Sequence, residues 1–207
     1  MVAAGRRMGA RGLIAAGEGN LSIRLPRDRL LVTPSGVRKD ELEAGDLLIV
    51  SLDAASGGPT DPPSGRRPTS DLAIHRAVHA ARPDVVAVAH AHPPATLALT
   101  LAGERADPAA LPETALLLPR LPFVAFGTPG SEELAGRIAA ALAEPPEPGA
   151  GAVLLERHGA VAVGTGDPEA ALGQALDRLE LVEVLCRATR DALLIRAARA
   201  AVGGPGR

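Results

Sequence analysis

Much of the chemistry open to this sequence of 207 residues rests on five histidines, at positions 75, 79, 90, 92 and 158. His90 and His92 stand one residue apart at the end of the apolar run Val85-Val86-Ala87-Val88-Ala89. Side chains alternate along a strand, so both rings leave the same face. Two imidazoles converging at a strand end have metal-ligand geometry, with rigid backbone before them and a loop after them that leaves a coordination position open. His158 follows a second apolar stretch and precedes Gly159, which permits close backbone approach. Three neutral imidazoles with a free fourth position describe a catalytic zinc site better than a structural one. His75 and His79, four apart on an expected helix with Asp71 one turn earlier, form a competing pair. That pair lacks the glutamate of H-E-x-x-H, and the favoured reading makes His75 a hydrogen-bonded packing residue and His79 solvent-facing.

A second kind of chemistry is written in three short polar patterns: Gly17-Glu18-Gly19-Asn20-Leu21-Ser22, Thr33-Pro34-Ser35-Gly36 and Pro68-Thr69-Ser70-Asp71. Hydroxyls, an amide and glycine N–H groups at turns and at a helix start are what an oxygen-rich anion such as phosphate requires. Singly, each is more often a cap or a turn. Glu18 places a negative charge in the first pattern, where repulsion is expected unless it points away or meets an arginine.

Composition removes other chemistries. A single cysteine, Cys186, allows no internal disulfide and no cysteine zinc cluster, so any metal must rely on histidine or carboxylate. The chain has no tyrosine to donate a proton. Its one lysine, Lys39, lies in the charged run Arg38-Lys39-Asp40-Glu41 and is expected to be a solvated ammonium rather than a Schiff-base nucleophile. A net charge of −2 argues against a general nucleic-acid or anionic-membrane binder. No unbroken apolar stretch has signal-peptide or membrane-spanning length, and a cytoplasmic setting is expected.

The elements that must position these groups follow from periodicity. A helix is expected over residues 2 to 16, with strands at Leu21–Leu25, Leu30–Thr33 and Leu47–Leu52, then a Gly/Pro/Ser-rich loop from Ala54 to Arg67. Thr69 or Ser70 should cap a helix running to about Ala81, with Asp71 in its first turn. The apolar strand Val85–His90 is followed by a helix after Pro93-Pro94, and another starts at Ser131 and runs to about Ala143. Strands at Ala152–Leu155 and Val161–Gly164 flank Glu156–Gly159, and a long helix from Asp167-Pro168 runs to about Ala200. The expectation is a single domain over 1–207, with a flexible tail from about 202 to 207.

Taken in order, these segments resemble the class II aldolase/adducin family, and within it the small bacterial L-fuculose-phosphate aldolases. The resemblance runs from about Gly12 to Thr189 through G-N-L-S-I-R, L-V-T-P-S-G, P-T-S-D, R-P-D-V-V-A-V-A-H-A-H-P, F-G-T and L-L-E-R-H-G-A-V-A-V-G. It implies an α/β fold, a three-layer α/β/α domain with a mostly antiparallel central sheet, assembled as a homotetramer with active sites at subunit interfaces. By matching motifs, His90, His92 and His158 would hold Zn2+ or another divalent metal such as Mn2+. Asn20, Ser35, Gly36, Thr69 and Ser70 would grip a substrate phosphate, and Asp71 would be the acid/base carboxylate. The implied reaction is that of a zinc-dependent aldehyde-lyase, cleaving a small ketose 1-phosphate to dihydroxyacetone phosphate and an aldehyde through an enediolate. The family also holds a sugar-phosphate 4-epimerase, a dehydratase, decarboxylases and non-catalytic adducin-like domains. Two departures bear on the reaction: Asp71 stands where the aldolases carry glutamate, and Phe123 where they carry a proton-donating tyrosine from a neighbouring subunit.

Overall fold

Alternation of side chains along the strands decides how this chain layers. In the computed structural model, which describes residues 1–53, 55, 65–144 and 149–202, the strands are β1 (Asn20–Leu25), β2 (Arg29–Val32), β3 (Leu48–Ser51), β4 (Val85–Ala91), β5 (Phe123–Val124), β6 (Ala152–Leu155) and β7 (Gly159–Thr165). The helices are α1 (Val2–Ala10), α2 (Leu72–Ala81), α3 (Pro94–Leu101), α4 (Pro112–Leu117), α5 (Glu132–Ala143) and α6 (Pro168–Val202). Among the described residues the strands form one sheet in the order β3-β2-β1-β4-β7-β6-β5. Only β5 pairs in parallel, with β6, so the sheet is mixed but mostly antiparallel, as expected.

One face of the central strands is small: Ala87, Ala89, Ala91, Ala152, Ala160 and Ala162 join Leu172, Leu176 and Leu179 of α6 in one core. Small side chains let α6 lie close to the sheet, and a Cβ at Gly164 would come within 1.8 Å of the Ala171 carbonyl oxygen. The opposite face carries Val88, Val153, Leu155, Val161 and Val163, which pack with Ile74 and Val78 of α2 and Leu134 and Ile138 of α5. Helices on both faces bury both sets of side chains and give three layers.

Several expectations are corrected in detail. The first helix stops at Ala10 instead of reaching residue 16, and Ala16 takes φ 47°, outside the right-handed helix. Neither Thr69 nor Ser70 caps α2; Asp71 occupies the cap position without a side-chain cap bond, while Thr69 Oγ1 accepts from the Asp71 N–H at 3.2 Å. Ser131 does cap α5, accepting from the Leu134 N–H. The sequence reading misses α4 and β5, six and two residues long, because elements so short show no period. Most of the loop expected over 54–67, and the tail beyond Val202, lie outside the described residues.

Candidate metal and anion site

Strand pairing brings the three histidines together. β4 and β7 run antiparallel with His90 opposite Val161 and Ala91 opposite Ala160, so the turn before β7 delivers His158 beside His92. Gly159 makes this possible: its φ is +83°, and a Cβ there would meet the Ala91 carbonyl oxygen at 2.1 Å. The rings of His90, His92 and His158 stand with centroids 4.7 to 5.0 Å apart. One nitrogen from each can be chosen so that all lie within 4.8 Å of one another.

The hydrogen bonds around the rings show which nitrogens remain available. His90 Nδ1 donates to the Ala160 carbonyl at 3.0 Å, which leaves a lone pair on Nε2, 2.9 Å from His92 Nε2. His92 Nδ1 faces the Glu18 carboxylate at 3.5 Å. The buried Nδ1 of His158 has no partner. Burial, reinforced by the neighbouring histidines, holds His90 well below the usual imidazole range and lowers His158 as well. Imidazoles with converging nitrogens, one of them an orphan, fit a divalent cation that accepts nitrogen ligands.

Beside them lies a buried polar chain. Asp71 Oδ2 accepts from the Asn20 amide at 2.8 Å and sits 3.9 Å from His90 Nε2. Asn20 Oδ1 is 2.6 Å from His75 Nε2, His75 Nδ1 is 2.7 Å from Ser22 Oγ, and Ser22 Oγ is 2.9 Å from His79 Nε2. His79 Nδ1 closes the chain on the Val85 carbonyl at 3.3 Å. His75 is thus the hydrogen-bonded packing residue expected of it. His79 is not solvent-facing: it is 1% exposed, because Asn20 and Ser22 make β1 polar on the face that α2 covers. Burial lowers His75 to about 3 and His79 to about 4, so both stay neutral near pH 7.

The three polar patterns meet above these groups. Ser35 N–H donates to the Arg67 carbonyl and Thr69 N–H to the Thr33 carbonyl, lacing the second pattern to the third, and Leu21 N–H bonds Thr33 Oγ1 to bring in the first. Asn20, Ser35, Gly36, Thr69, Ser70, Asp71, His92 and His158 all line one cleft of about 160 Å³, with His90 buried beneath. A larger groove of about 560 Å³ between α1 and α6 is mostly apolar and offers no comparable convergence of donors.

Two sequence expectations fail at this cleft. Glu18 neither points away nor meets an arginine; its carboxylate accepts from the Ala15 N–H at 3.1 Å and faces His92. Lys39 is not solvated. It is 1% exposed, lines the same cleft, and donates from Nζ to the carbonyls of Gly17 at 2.8 Å and Val37 at 2.6 Å. Its charged neighbours in sequence concealed this, since Arg38 pairs with Asp40 and Glu41 outside while Lys39 turns inward beneath α1.

Known proteins share this architecture. Residues 1–189 match the family described as Class II Aldolase and Adducin N-terminal domain. The methylthioribulose-1-phosphate dehydratase of Acidiphilium cryptum is 43% identical over 102 residues, 49% of this chain and 46% of that protein, so the matching stretch spans about half the length of that relative. The 5-methylthioribulose-1-phosphate/5-deoxyribulose-1-phosphate aldolase of Rhodospirillum rubrum is 33% identical over 184 residues, 88% of this chain and 77% of that protein. Among solved structures, L-fuculose-1-phosphate aldolase from Thermus thermophilus superposes with a TM-score of 0.79 at 32% identity, covering 99% of this chain and 95% of that one. With its fold, its histidine group and its sequence all agreeing, the chain belongs to the class II aldolase and adducin N-terminal domain family.

Proposed function

We propose that this protein is a zinc-dependent lyase that cleaves a small ketose 1-phosphate, resembling L-fuculose 1-phosphate, between C3 and C4 to dihydroxyacetone phosphate and an aldehyde. The observation that carries the reading is the meeting, in one cleft, of a three-histidine group, a buried carboxylate and hydroxyl-bearing loops. The named relatives support the substrate class: methylthioribulose, 5-deoxyribulose and L-fuculose 1-phosphates are all ketoses phosphorylated at the first carbon.

His90, His92 and His158 would hold the ion, with zinc favoured by an all-nitrogen donor set. When bound, it supplies Lewis-acid stabilisation of the charge that develops on the substrate's carbonyl oxygen. Asn20, Ser35, Gly36, Thr69 and Ser70 seat the phosphate and fix the sugar's register. Asp71 moves the proton at C3: it protonates the enediolate carbon left after cleavage, the C4 hydroxyl proton passing to water as the aldehyde forms, and removes the C3 proton in the condensation direction. Asn20, held by His75, engages Asp71 Oδ2 and leaves Oδ1 without a protein partner among the described residues.

Dehydration is the second reading, favoured by the 43% identity to a dehydratase. It begins with the same removal of the C3 proton by Asp71 and ends with loss of the C4 hydroxyl instead of the C3–C4 bond. Phe123 suits it, since a phenyl ring under the Arg105 guanidinium cannot carry the proton between the C4 hydroxyl and the aldehyde oxygen. The protein is further read as one domain, cytoplasmic and tetrameric. A lone cysteine, Cys186, fits a reducing compartment, and exposed Leu116, Leu117, Leu194 and Ile195 offer surface for self-association.

The test is exchange of the hydroxymethyl protons of dihydroxyacetone phosphate in heavy water, followed by NMR with zinc-loaded protein and a His92→Ala control. Stereospecific exchange that needs His92 supports C3 deprotonation at this site, and its absence from metal-loaded protein sinks the reading. Supplying 5-deoxyribulose 1-phosphate then separates the outcomes, because dihydroxyacetone phosphate marks cleavage and a dehydrated diketose phosphate marks the alternative.

A further inference from the structure

Lys39 presents a problem of charge. An ammonium group taken out of water is costly unless a carboxylate accompanies it, yet Lys39 is 1% exposed and forms no ion pair among the described residues. Two carbonyl dipoles, from Gly17 and Val37, take two of its three N–H bonds. Burial lowers its pKa, the direction expected of a cation lacking its counter-charge. The carbonyls it holds belong to two different loops of the cleft, the one bearing Gly17 to Asn20 and the one bearing Ser35 and Gly36.

The rest of the cleft sharpens the problem. Among the described residues lining it, Glu18 and Asp71 are carboxylates, and Lys39 is the one lysine or arginine. Apart from the ion that the histidines would hold, a phosphate dianion entering there would otherwise meet two carboxylates and dipoles. We propose that Lys39 is the specificity residue for the phosphate of the substrate: a clasp that holds the two loops at the spacing the anion needs, and the buried cation whose missing counter-charge the anion supplies. The inference rests on the reading of a phosphorylated substrate given above and adds a residue to it. An arginine could not serve as well, because a planar fork does not fit a socket built of two carbonyls from separate loops around a single nitrogen.

Since Lys39 is the chain's sole lysine, protein labelled with 13C and 15N only in lysine yields a single side-chain signal. Zinc-loaded protein so labelled, in a form carrying no added lysine, is titrated with dihydroxyacetone phosphate, with inorganic phosphate and with unphosphorylated dihydroxyacetone. The Lys39 Cε and Nζ resonances should shift with the first two and stay in place with the third. In parallel calorimetry, Lys39→Gln should weaken dihydroxyacetone phosphate binding by on the order of tenfold or more and flatten its dependence on salt, while Lys39→Arg recovers part of the loss. If Lys39→Gln does not fold, the labelled wild-type protein still decides. Binding of dihydroxyacetone phosphate with no movement of the lysine resonance overturns the assignment of Lys39 alone. A metal-loaded protein that binds neither phosphate compound overturns the phosphorylated-substrate reading and the lysine's part together.

Discussion

His90 and His92 on and just after β4, and His75 and His79 on α2, are alike by the usual criteria. Each pair has a spacing that puts both rings on one face, and burial depresses His90 just as it depresses His75 and His79. They differ in what their nitrogens already do. On α2 every ring nitrogen has a partner, from Ser22, Asn20 or the Val85 carbonyl. Around β4 the Nε2 atoms of His90 and His92 face each other at 2.9 Å, and His158 Nδ1 has no partner. His90 Nδ1 donates to the Ala160 carbonyl, so at that distance the His90 Nε2 lone pair accepts from His92 Nε2, a ring-to-ring bond that a cation would replace. The contrast teaches that ring nitrogens which converge on one another, one of them orphaned, mark a ligand set; spacing, burial and low basicity do not.

The strongest way to break this contrast is to remove one ring from each group. His92→Ala is expected to abolish near-stoichiometric zinc binding, whereas His79→Ala should keep the zinc and lose stability of about 3 kcal/mol through a cavity and unpaired groups at Ser22 and Val85. Elemental analysis of both variants, beside their melting curves, decides; equal zinc loss from the two would erase the distinction. Next in size is Asp71→Asn, which should retain zinc and lower turnover by roughly 10²- to 10⁴-fold, the usual yield of a general acid–base group. Full turnover in that variant would place the proton transfer elsewhere.

Acid should sharpen the comparison from the other side. An unfolded histidine titrates near 6.5, while His79 titrates at about 4 and His75 at about 3 in the fold, so between those values the unfolded chain binds more protons. The stability contributed by these two neutral rings is complete above pH 6.5 and is lost as pH falls toward 4 and then 3. Denaturant melts of metal-free protein across this range should show that slope, and His79→Gln should reduce it by roughly one bound proton. An unchanged slope would mean that His79 is already protonated in the fold.

Much of the layered fold could be read from the continuous apolar runs Val85–His90 and Ala152–Leu155 and from the cap at Ser131, because these signals are local. The candidate ligand set was readable for the same reason: H-x-H fixes two rings on one strand face, and family motifs added His158. What escaped depends on contacts distant in sequence. His79 is buried because Ser22, 57 positions away, offers it a hydroxyl. Lys39 is buried because the carbonyl of Gly17, 22 positions away, turns toward it, while its charged neighbours suggested water. Asp71 could be placed at the start of a helix, though in the first turn and not at the cap position it takes, while its bond to Asn20 could not be foreseen.

The smallest expected effect tests the edge of the site rather than its centre. Ser70 is exposed at the mouth of the cleft, unlike the buried Thr69 whose hydroxyl is already engaged by the Asp71 N–H. Its hydroxyl is therefore free to meet a phosphate oxygen, and one hydrogen bond to a charged group exchanged against water contributes about 1 to 2 kcal/mol. Ser70→Ala should accordingly raise the Michaelis constant for a ketose 1-phosphate by roughly five- to thirtyfold. It should leave the turnover number and the constant for the unphosphorylated ketose unchanged, because the bond is made equally in the ground and transition states. A matching rise for both substrates would show that Ser70 supports the loop as a whole, and would shift the phosphate contact onto Ser35 and Gly36 across the cleft.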